Sequence, residues 1–358
     1  MNGSSTLFGP DVEVQPAADP TAKGRQPRED SLLSRIELKF SAVLYPLGFA
    51  LEIRTNNQAV LDAAEESWGG RRPLYDTAPL LLKIVVTESA TFECPPAPLA
   101  RVQGHLISMA ADAQNQFVGD VREGFAFGYL SEAALRHRSY ARYYFIEPTV
   151  YVMMTGLFVT PIHAACISRR GHGMLLCGPS GAGKSTLAYA CARAGWTYTT
   201  DDASYLVRAG HGPRVVGNSH QLRFRPTARQ LFPELSGRSI TPRAEGKPSI
   251  EVPTAELPGL IASDEASIRS ILFLNRQPSA AAELIPLPRE AAFDHFSTTL
   301  YAVKEIRDMQ IAALESLAGA DVFELRYSDV SDAIHCLEGL VELADMLEPP
   351  GPDEDALV

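Results

Sequence analysis

The segment Gly178–Ser185 reads Gly-x-x-x-x-Gly-Lys-Ser, with two glycines, a lysine and a hydroxyl residue at fixed spacing. Four apolar residues, Met174–Cys177, precede it and predict a short buried strand. Apolar residues then recur at helical spacing as far as Gly195, a typical helix stop. Strand, glycine-rich loop and helix are the context in which backbone amides surround a phosphate. This stretch therefore predicts a nucleotide-binding loop.

The predicted nucleotide-binding residues share one stretch, the loop and the start of the helix. They are Gly178, Pro179, Ser180, Gly181, Ala182, Gly183, Lys184, Ser185 and Thr186. Lys184 is predicted to neutralise β- and γ-phosphate oxygens, and the Ser185 hydroxyl to bind Mg²⁺. No base-specific motif chooses between ATP, GTP and pyrophosphate as the donor.

Composition restricts the class of protein. The 358 residues are 46% apolar and 21% charged, which is typical of a globular chain of about two domains. A net charge of −11 argues against a general nucleic-acid binder. The longest apolar run, residues 150–159, is shorter than the roughly 20 residues of a membrane span. No secretion signal is recognisable, so a cytoplasmic protein is expected. The five cysteines show no C-x-x-C spacing and predict reduced thiols rather than a zinc site.

The chain divides into four predicted parts. Residues 1–30 lack hydrophobic periodicity and predict a disordered arm. Residues 31–150 predict a smaller N-terminal α/β domain of unknown role. Residues 151–347 predict a three-layer α/β domain around the phosphate loop, and residues 348–358 an acidic, solvated tail.

Hydrophobic patterns place the elements within these parts. Strands are predicted at residues 49–54, 80–86, 104–109, 124–130, 164–168, 196–200, 221–225, 270–274 and 322–327. Helices are predicted from Asn57 to Trp68, from residue 131, and at residues 148–158, 291–301, 306–317 and 330–347.

A histidine precedes the strand next to the phosphate-loop strand. If a four-residue loop joins the two strands as a hairpin, Ser168 pairs with Gly173 and His163 faces Gly178. The register therefore places this imidazole at the nucleotide end of the sheet. It could orient or deprotonate a group at the phosphate site, or it could cap the strand or hydrogen-bond a carbonyl.

Two adjacent carboxylates, Asp201 and Asp202, end the strand after the predicted helix. One is predicted to hold Mg²⁺ while the other accepts a hydroxyl proton. Because successive side chains of a strand point to opposite sides, the two are not expected to share one role. The alternative is a pair that caps the following turn.

The charge reverses between residues 208 and 247, where eight basic residues accompany two glutamates. Arg223 and Arg225 are predicted on one face of a strand, where they suit a phosphate or an anionic acceptor. Lys247 lies in a predicted loop, where it could reach the γ-phosphate. A solvated face with local ion pairs is the alternative.

The sequence resembles the HPr kinase/phosphorylase-like group of P-loop kinases. The resembling residues are Ile162–Ala165, Gly178–Thr186, Ala194–Trp196 and Asp201–Asp202. The resemblance implies ATP- and Mg²⁺-dependent transfer of a phosphate to a serine or another hydroxyl, by a protein that is often a homo-oligomer. Asp201 would match the catalytic base, Asp202 and Ser185 the metal site, and His163 a histidine near the acceptor.

One departure from that family concerns the acceptor. The downstream family signature Glu-Ile-Arg-Gly-Leu-Gly is absent, which predicts an acceptor other than HPr, either a peptide or protein serine or a small molecule. A nucleotide-binding regulatory module and a plain NTPase are the alternatives. Paired aspartates at the strand end are excessive for simple binding, and they favour the kinase.

Overall fold

The computed structural model describes residues 36–208, 210, 212–240, 248–257, 259–278, 281–300 and 304–347. The described residues from Leu38 onward form one compact unit. The arm predicted at residues 1–30, the tail predicted at residues 348–358 and Lys247 lie outside the described residues.

A seven-stranded sheet forms the N-terminal part of this unit. Its strands are β1 (Phe40–Leu44), β2 (Leu51–Thr55), β3 (Leu80–Thr87), β4 (Leu99–Gln103), β5 (Leu106–Ala110), β6 (Gln116–Asp120) and β7 (Phe125–Ser131). Their order is β1-β2-β3-β7-β6-β5-β4, and only the β2–β3 and β3–β7 pairs are parallel. The predicted strands around β2, β3, β5 and β7 are confirmed.

Helix α1 (Gln58–Trp68) connects β2 to β3. This sheet is connected to the next by α2 (Glu132–Arg136), α3 (Arg138–Ala141), a π-helical turn (Arg142–Ile146) and α4 (Glu147–Leu157). The predicted start of α1 is confirmed, because the Asn57 side chain accepts a hydrogen bond of 3.0 Å from the Ala59 amide. Ser131 caps α2 in the same way, through the Ala134 amide.

The second part of the unit contains the remaining elements. The strands are β8 (Val159–Ile162), β9 (Ala164–Arg169), β10 (His172–Cys177), β11 (Thr197–Thr200), β12 (Ser204–Val207), β13 (Arg214–Gly217), β14 (Gln221–Phe224), β15 (Ile250–Pro253), β16 (Ile261–Ala262), β17 (Glu265–Arg276), β18 (Glu283–Pro286) and β19 (Asp321–Tyr327). The helices are α5 (Lys184–Arg193), α6 (Glu290–Ser297), α7 (Lys304–Glu315) and α8 (Val330–Leu347).

Ten of these strands form one sheet, in the order β16-β11-β9-β10-β17-β13-β12-β8, with β19 beside β17 and β18 beside β19. Strands β14 and β15 pair separately. The predicted hairpin register is confirmed, since Ser168 pairs with Gly173 and Ala164 with Cys177. Arg169 pairs with His172, so the turn itself has two residues rather than four. Strands β10, β11, β17 and β19 run in the same direction and end at one edge of the sheet.

Alternate residues of β10 pack on opposite faces of this sheet, as strand geometry requires. Met174 and Leu176 belong to a core with α5 and α8. Leu175 and Cys177 belong to a second core with α6 and α7. The mixed α/β class predicted from the sequence is confirmed.

The two sheets also share a hydrophobic core. The largest buried cluster contains the inner face of the first sheet, α1 and α4, and it includes Val159, Val207 and Val216 from the second sheet. Polar contacts follow the same junction, including hydrogen bonds from Arg71 to Asn218 at 2.6 Å and from Tyr143 to Glu251 at 2.8 Å.

The five cysteines are free thiols, and Cys166, Cys177 and Cys191 are buried. Burial raises the pKa of Cys166 to about 12, so this thiol stays protonated and unreactive at neutral pH. Among the described helices, none is both long and apolar enough to cross a membrane.

Candidate functional site

The loop between β10 and α5 has a backbone that requires glycine. Gly181 and Gly183 adopt φ values of 96° and 101°. A Cβ atom on Gly183 would lie 2.8 Å from the Tyr327 hydroxyl oxygen. Gly183 stands at the N-cap of α5 without a side-chain cap, so the first amides of the helix have no partner within it. Such amides, with the helix dipole, bind an anion readily.

Lys184 lies almost completely buried beside this loop, with 6% of its surface exposed. Its Nζ donates a hydrogen bond of 2.7 Å to the Gly178 carbonyl and lies 3.1 Å from His163 Nε2. Burial lowers the pKa of Lys184, and the nearby Asp202 charge opposes that effect. The Lys184 Nζ is therefore held against the loop, between the Gly178 carbonyl and His163.

His163 connects Lys184 to one of the two predicted carboxylates. Its Nδ1 lies 3.5 Å from Asp202 Oδ1, and the side chains of His163 and Asp202 are both about half exposed. The two ring nitrogens of His163 therefore face different partners, Nε2 the Lys184 ammonium and Nδ1 the Asp202 carboxylate. Lys184, His163 and Asp202 thus form a continuous polar chain at the open side of the loop.

Asp201 has different surroundings. Only 5% of the residue is exposed, and its Oδ2 accepts a hydrogen bond of 2.9 Å from the Arg223 backbone amide. Its carbonyl accepts a hydrogen bond of 3.3 Å from the Ser185 hydroxyl. The Asp201 carboxylate therefore ties the end of β11 to β14, whereas the Asp202 carboxylate faces the loop.

The structure separates the two predicted arginines. Strand β14 ends at Phe224, so Arg225 lies beyond the predicted strand. Arg225 Nη2 donates a hydrogen bond of 2.7 Å to the Ser180 hydroxyl in the phosphate loop. The Arg223 side chain instead pairs with Glu251 at 3.4 Å and lies over the Tyr143 ring. Only Arg225 is positioned beside the loop.

The available oxygens at the loop fit magnesium. Among the residues that the structure describes, no group of three or more His, Cys, Asp and Glu side chains could hold a metal by itself. Mg²⁺ in phosphate sites usually takes one or two protein oxygens, with phosphate and water completing its shell. The Ser185 hydroxyl and a carboxylate at the end of β11 match that limited requirement.

Sequence reasoning missed a second histidine near this site. His295 on α6 has its ring 5.1 Å from the ring of Phe273, which pairs with Cys177 at the end of β10. Burial lowers the pKa of His295, and the neighbouring His163 and Lys184 charges lower it further. His295 lies more than 100 residues after Lys184 in no recognisable motif, so no local pattern could have revealed it.

A second feature, which the sequence did not predict, is a cavity of about 280 Å³. It lies at the junction of the two sheets, between the helices of the first part and the segments around β14 and β15. Arg223 lines it, and Tyr143, which the Arg223 side chain covers, donates to Glu251 just outside it.

Comparison with known proteins gives little beyond this geometry. No protein-family model matches the chain, and no curated protein matches it. One solved structure that matches is the Hpr(Ser) kinase/phosphatase from Coxiella burnetii, at 12% sequence identity and a TM-score of 0.31. The match covers 52% of this chain and 96% of that one. A likeness at this TM-score carries no argument about function.

Proposed function

We propose that this chain is an ATP- and Mg²⁺-dependent P-loop kinase, similar in kind to HPr kinase, that phosphorylates a hydroxyl group. The observation that carries the proposal is the polar chain Lys184–His163–Asp202 at a loop whose backbone is shaped for phosphate. A module that only binds nucleotide needs the loop and the lysine. It does not need a half-exposed carboxylate beside the histidine that contacts this lysine.

The proposed reaction is an in-line transfer. The acceptor oxygen forms a bond to the γ-phosphorus while the bond from that phosphorus to the β–γ bridging oxygen breaks, and ADP leaves. The hydroxyl proton passes to a carboxylate. Lys184 balances the phosphate charge, and Arg225 supports the loop through Ser180.

We assign the proton-accepting role to Asp202. Its carboxylate is half exposed and faces the loop, and His163 orients it through Nδ1. The buried Asp201, held by the Arg223 amide, suits a positioning role. This differs from the assignment that the family resemblance implies, in which Asp201 is the base.

Bound Mg²⁺ would neutralise the charge that develops on the phosphates. Ser185 is the residue that would hold it in this proposal, since its hydroxyl lies at the start of α5 beside the end of β11. The family resemblance implies that Asp202 is a second ligand of Mg²⁺. A proton-accepting Asp202 and a metal-binding Asp202 would respond differently to mutation and to the Mg²⁺ concentration.

The test is ADP release from Mg-ATP, with and without serine-containing peptides or a small-molecule extract. We expect acceptor-dependent release that falls by about 10²–10³-fold in Lys184→Ala, since one electrostatic contact to the transferred group is lost. Lys304→Ala is the matched control, because Lys304 is an exposed lysine on α7 paired with Asp308. It should release ADP as the native protein does.

Two results would replace the proposal with its alternatives. ADP release that no acceptor stimulates would identify a plain NTPase. Tight ATP binding without release under any addition would identify a nucleotide-binding regulatory module.

A further inference from the structure

The cavity at the junction of the two sheets is assembled from distant parts of the chain. Its lining includes Glu66 and Ser67 of α1, Arg142 of the π-helical turn, Glu147 and Tyr151 of α4, and Arg223 of β14. Its volume of about 280 Å³ is just below the range of roughly 300–1,000 Å³ for small-molecule sites. A single small molecule fits it, and a folded protein surface does not enter it.

This cavity borders the proposed catalytic site. The Arg223 side chain lines the cavity, and the backbone amide of the same residue donates to Asp201 Oδ2 at 2.9 Å. On another wall the Tyr151 ring stacks on Tyr205 at 5.6 Å, and Tyr205 follows Asp202 by three residues. Arg223 and Tyr205 therefore connect the walls of the cavity to the segment that carries the two aspartates.

The charges that line the cavity compensate one another. Arg142 donates to Glu66 at 3.0 Å, to Ser67 at 2.9 Å and to Glu147 at 3.1 Å. Arg223 pairs with Glu251 at 3.4 Å. Recognition of an anion normally uses a cation that is not already neutralised by the protein. Because both arginines of the lining have carboxylate partners, an uncharged ligand suits this cavity better than an anionic one.

The lining also offers both donors and acceptors. A guanidinium has five N–H groups, of which Arg142 uses three in its hydrogen bonds to α1 and α4. A carboxylate accepts about four hydrogen bonds, and Glu147 accepts two, from Ser67 and Arg142. A hydroxyl group is itself both a donor and an acceptor, so it can use both kinds of remaining capacity.

We propose that this cavity binds the phosphate acceptor, and that the acceptor is a small, uncharged molecule with several hydroxyl groups, of the sugar or polyol class. This inference rests on the proposed kinase function. One hydroxyl of the bound molecule attacks the γ-phosphorus and passes its proton to Asp202, while ADP leaves with the bridging oxygen. The remaining hydroxyls bind to the arginine and glutamate side chains of the lining.

The test fills the cavity from an exposed position. Ala255 lines the cavity and is itself exposed, so Ala255→Phe adds a ring to the space without removing a hydrogen-bonding side chain. Ala312→Phe places the same ring on an exposed position of α7 as the matched control. The probes are D-glucose, D-ribose, myo-inositol and glycerol, each at millimolar concentration.

Two readouts separate binding from transfer. Binding is measured as a rise in melting temperature caused by each probe without nucleotide, and transfer as probe-dependent ADP release from Mg-ATP. We expect at least one probe to give both signals. In Ala255→Phe the thermal shift should disappear and kcat/KM for the probe should fall by at least about tenfold, whereas Ala312→Phe should behave as the native protein. A shift caused by ATP confirms that each variant is folded.

The outcomes distinguish the two proposals. Stimulation by serine peptides and by none of the four probes would overturn the acceptor class and leave the kinase standing. A thermal shift by a probe without any ATP turnover would overturn the kinase and the acceptor role together. A native response in Ala255→Phe would show that the acceptor binds elsewhere.

Discussion

The phosphate loop and the junction cavity are built in opposite ways. The loop, its lysine, the histidine and the two aspartates all come from residues 163–202, a continuous stretch of three strands, the phosphate loop and one helix. The cavity takes its walls from residues as far apart as Glu66 and Ala255. The first site is specified by local spacing and the second by packing, so residue spacing indicates the proposed reaction more readily than its substrate.

The two aspartates end the first of these regions, and exchanging each for asparagine gives the largest expected effect. Asp202→Asn should lower kcat by about 10²–10⁴-fold, the usual contribution of a general base, with an unchanged melting temperature. Asp201→Asn should lower the melting temperature, because a buried carboxylate that accepts the Arg223 amide is lost. Both quantities are measured on each variant, and the Mg²⁺ requirement is titrated alongside.

A specific pattern would reverse this assignment. If excess Mg²⁺ restores the activity of Asp202→Asn, and Asp201→Asn is inactive while melting normally, then Asp202 is a metal ligand and Asp201 is the base.

A smaller effect, on the free energy of unfolding, is expected from a substitution in the phosphate loop itself. Gly183→Ala places a Cβ atom 2.8 Å from the Tyr327 hydroxyl at a φ of 101°. We expect a loss of about 1–3 kcal/mol in the free energy of unfolding, from backbone strain and this contact, measured by urea denaturation. Gly319→Ala is the control, because a Cβ there meets no atom within 4 Å. Equal stability of the two variants would show that the loop does not require glycine at residue 183.

The smallest expected effect is on the free energy of unfolding, at Asp264 beside the cavity, and it depends on pH. Hydrogen bonds from His220, which lines the cavity, and from Ser219 lower the pKa of Asp264 from 3.8 to about 2. Because the folded-state pKa is the lower one, this stabilisation is complete above about pH 4 and is lost as the pH falls toward 2. Asp264→Asn should therefore cost about 1–2 kcal/mol at pH 7, and the difference should shrink in acid.

Urea denaturation of both proteins at pH 7 and pH 3 tests this prediction. Asp308→Asn, at an exposed ion pair on α7, should change little at either pH. A difference between Asp264→Asn and the native protein that stays constant with pH would contradict the role given to His220 and Ser219.

The elements predicted correctly from the sequence are those that depend on residues close together in the chain. The hairpin register of β9 and β10 followed from one short connection, although its turn has two residues rather than the predicted four. Helices α1 and α5 followed from apolar spacing with a cap or a glycine stop. These features depend on neighbours within a few residues. They can therefore be predicted without knowledge of the rest of the fold.

Other elements gave no such signal. Strand β4 has five exposed residues at the edge of its sheet, so no buried face produces alternation. Strands β12 and β13 have only four residues each. The different positions of Arg223 and Arg225 depend on where β14 ends and on Glu251, a partner from another strand. Partners so distant in the chain cannot be read from residue spacing.

The core that joins the two sheets has a consequence for how a substrate would enter. The α1 and α4 wall of the cavity rests on this core, which includes Val159, Val207 and Val216, and the β14 and β15 wall rests on another, which includes Leu222 and Val252. Moving either wall would disturb a packed interior, and closely packed interiors do not deform gradually. Recognition would then be of the lock-and-key type, in which the shape of the cavity sets the selectivity before the substrate binds. Little binding free energy would be needed to close the protein around the substrate.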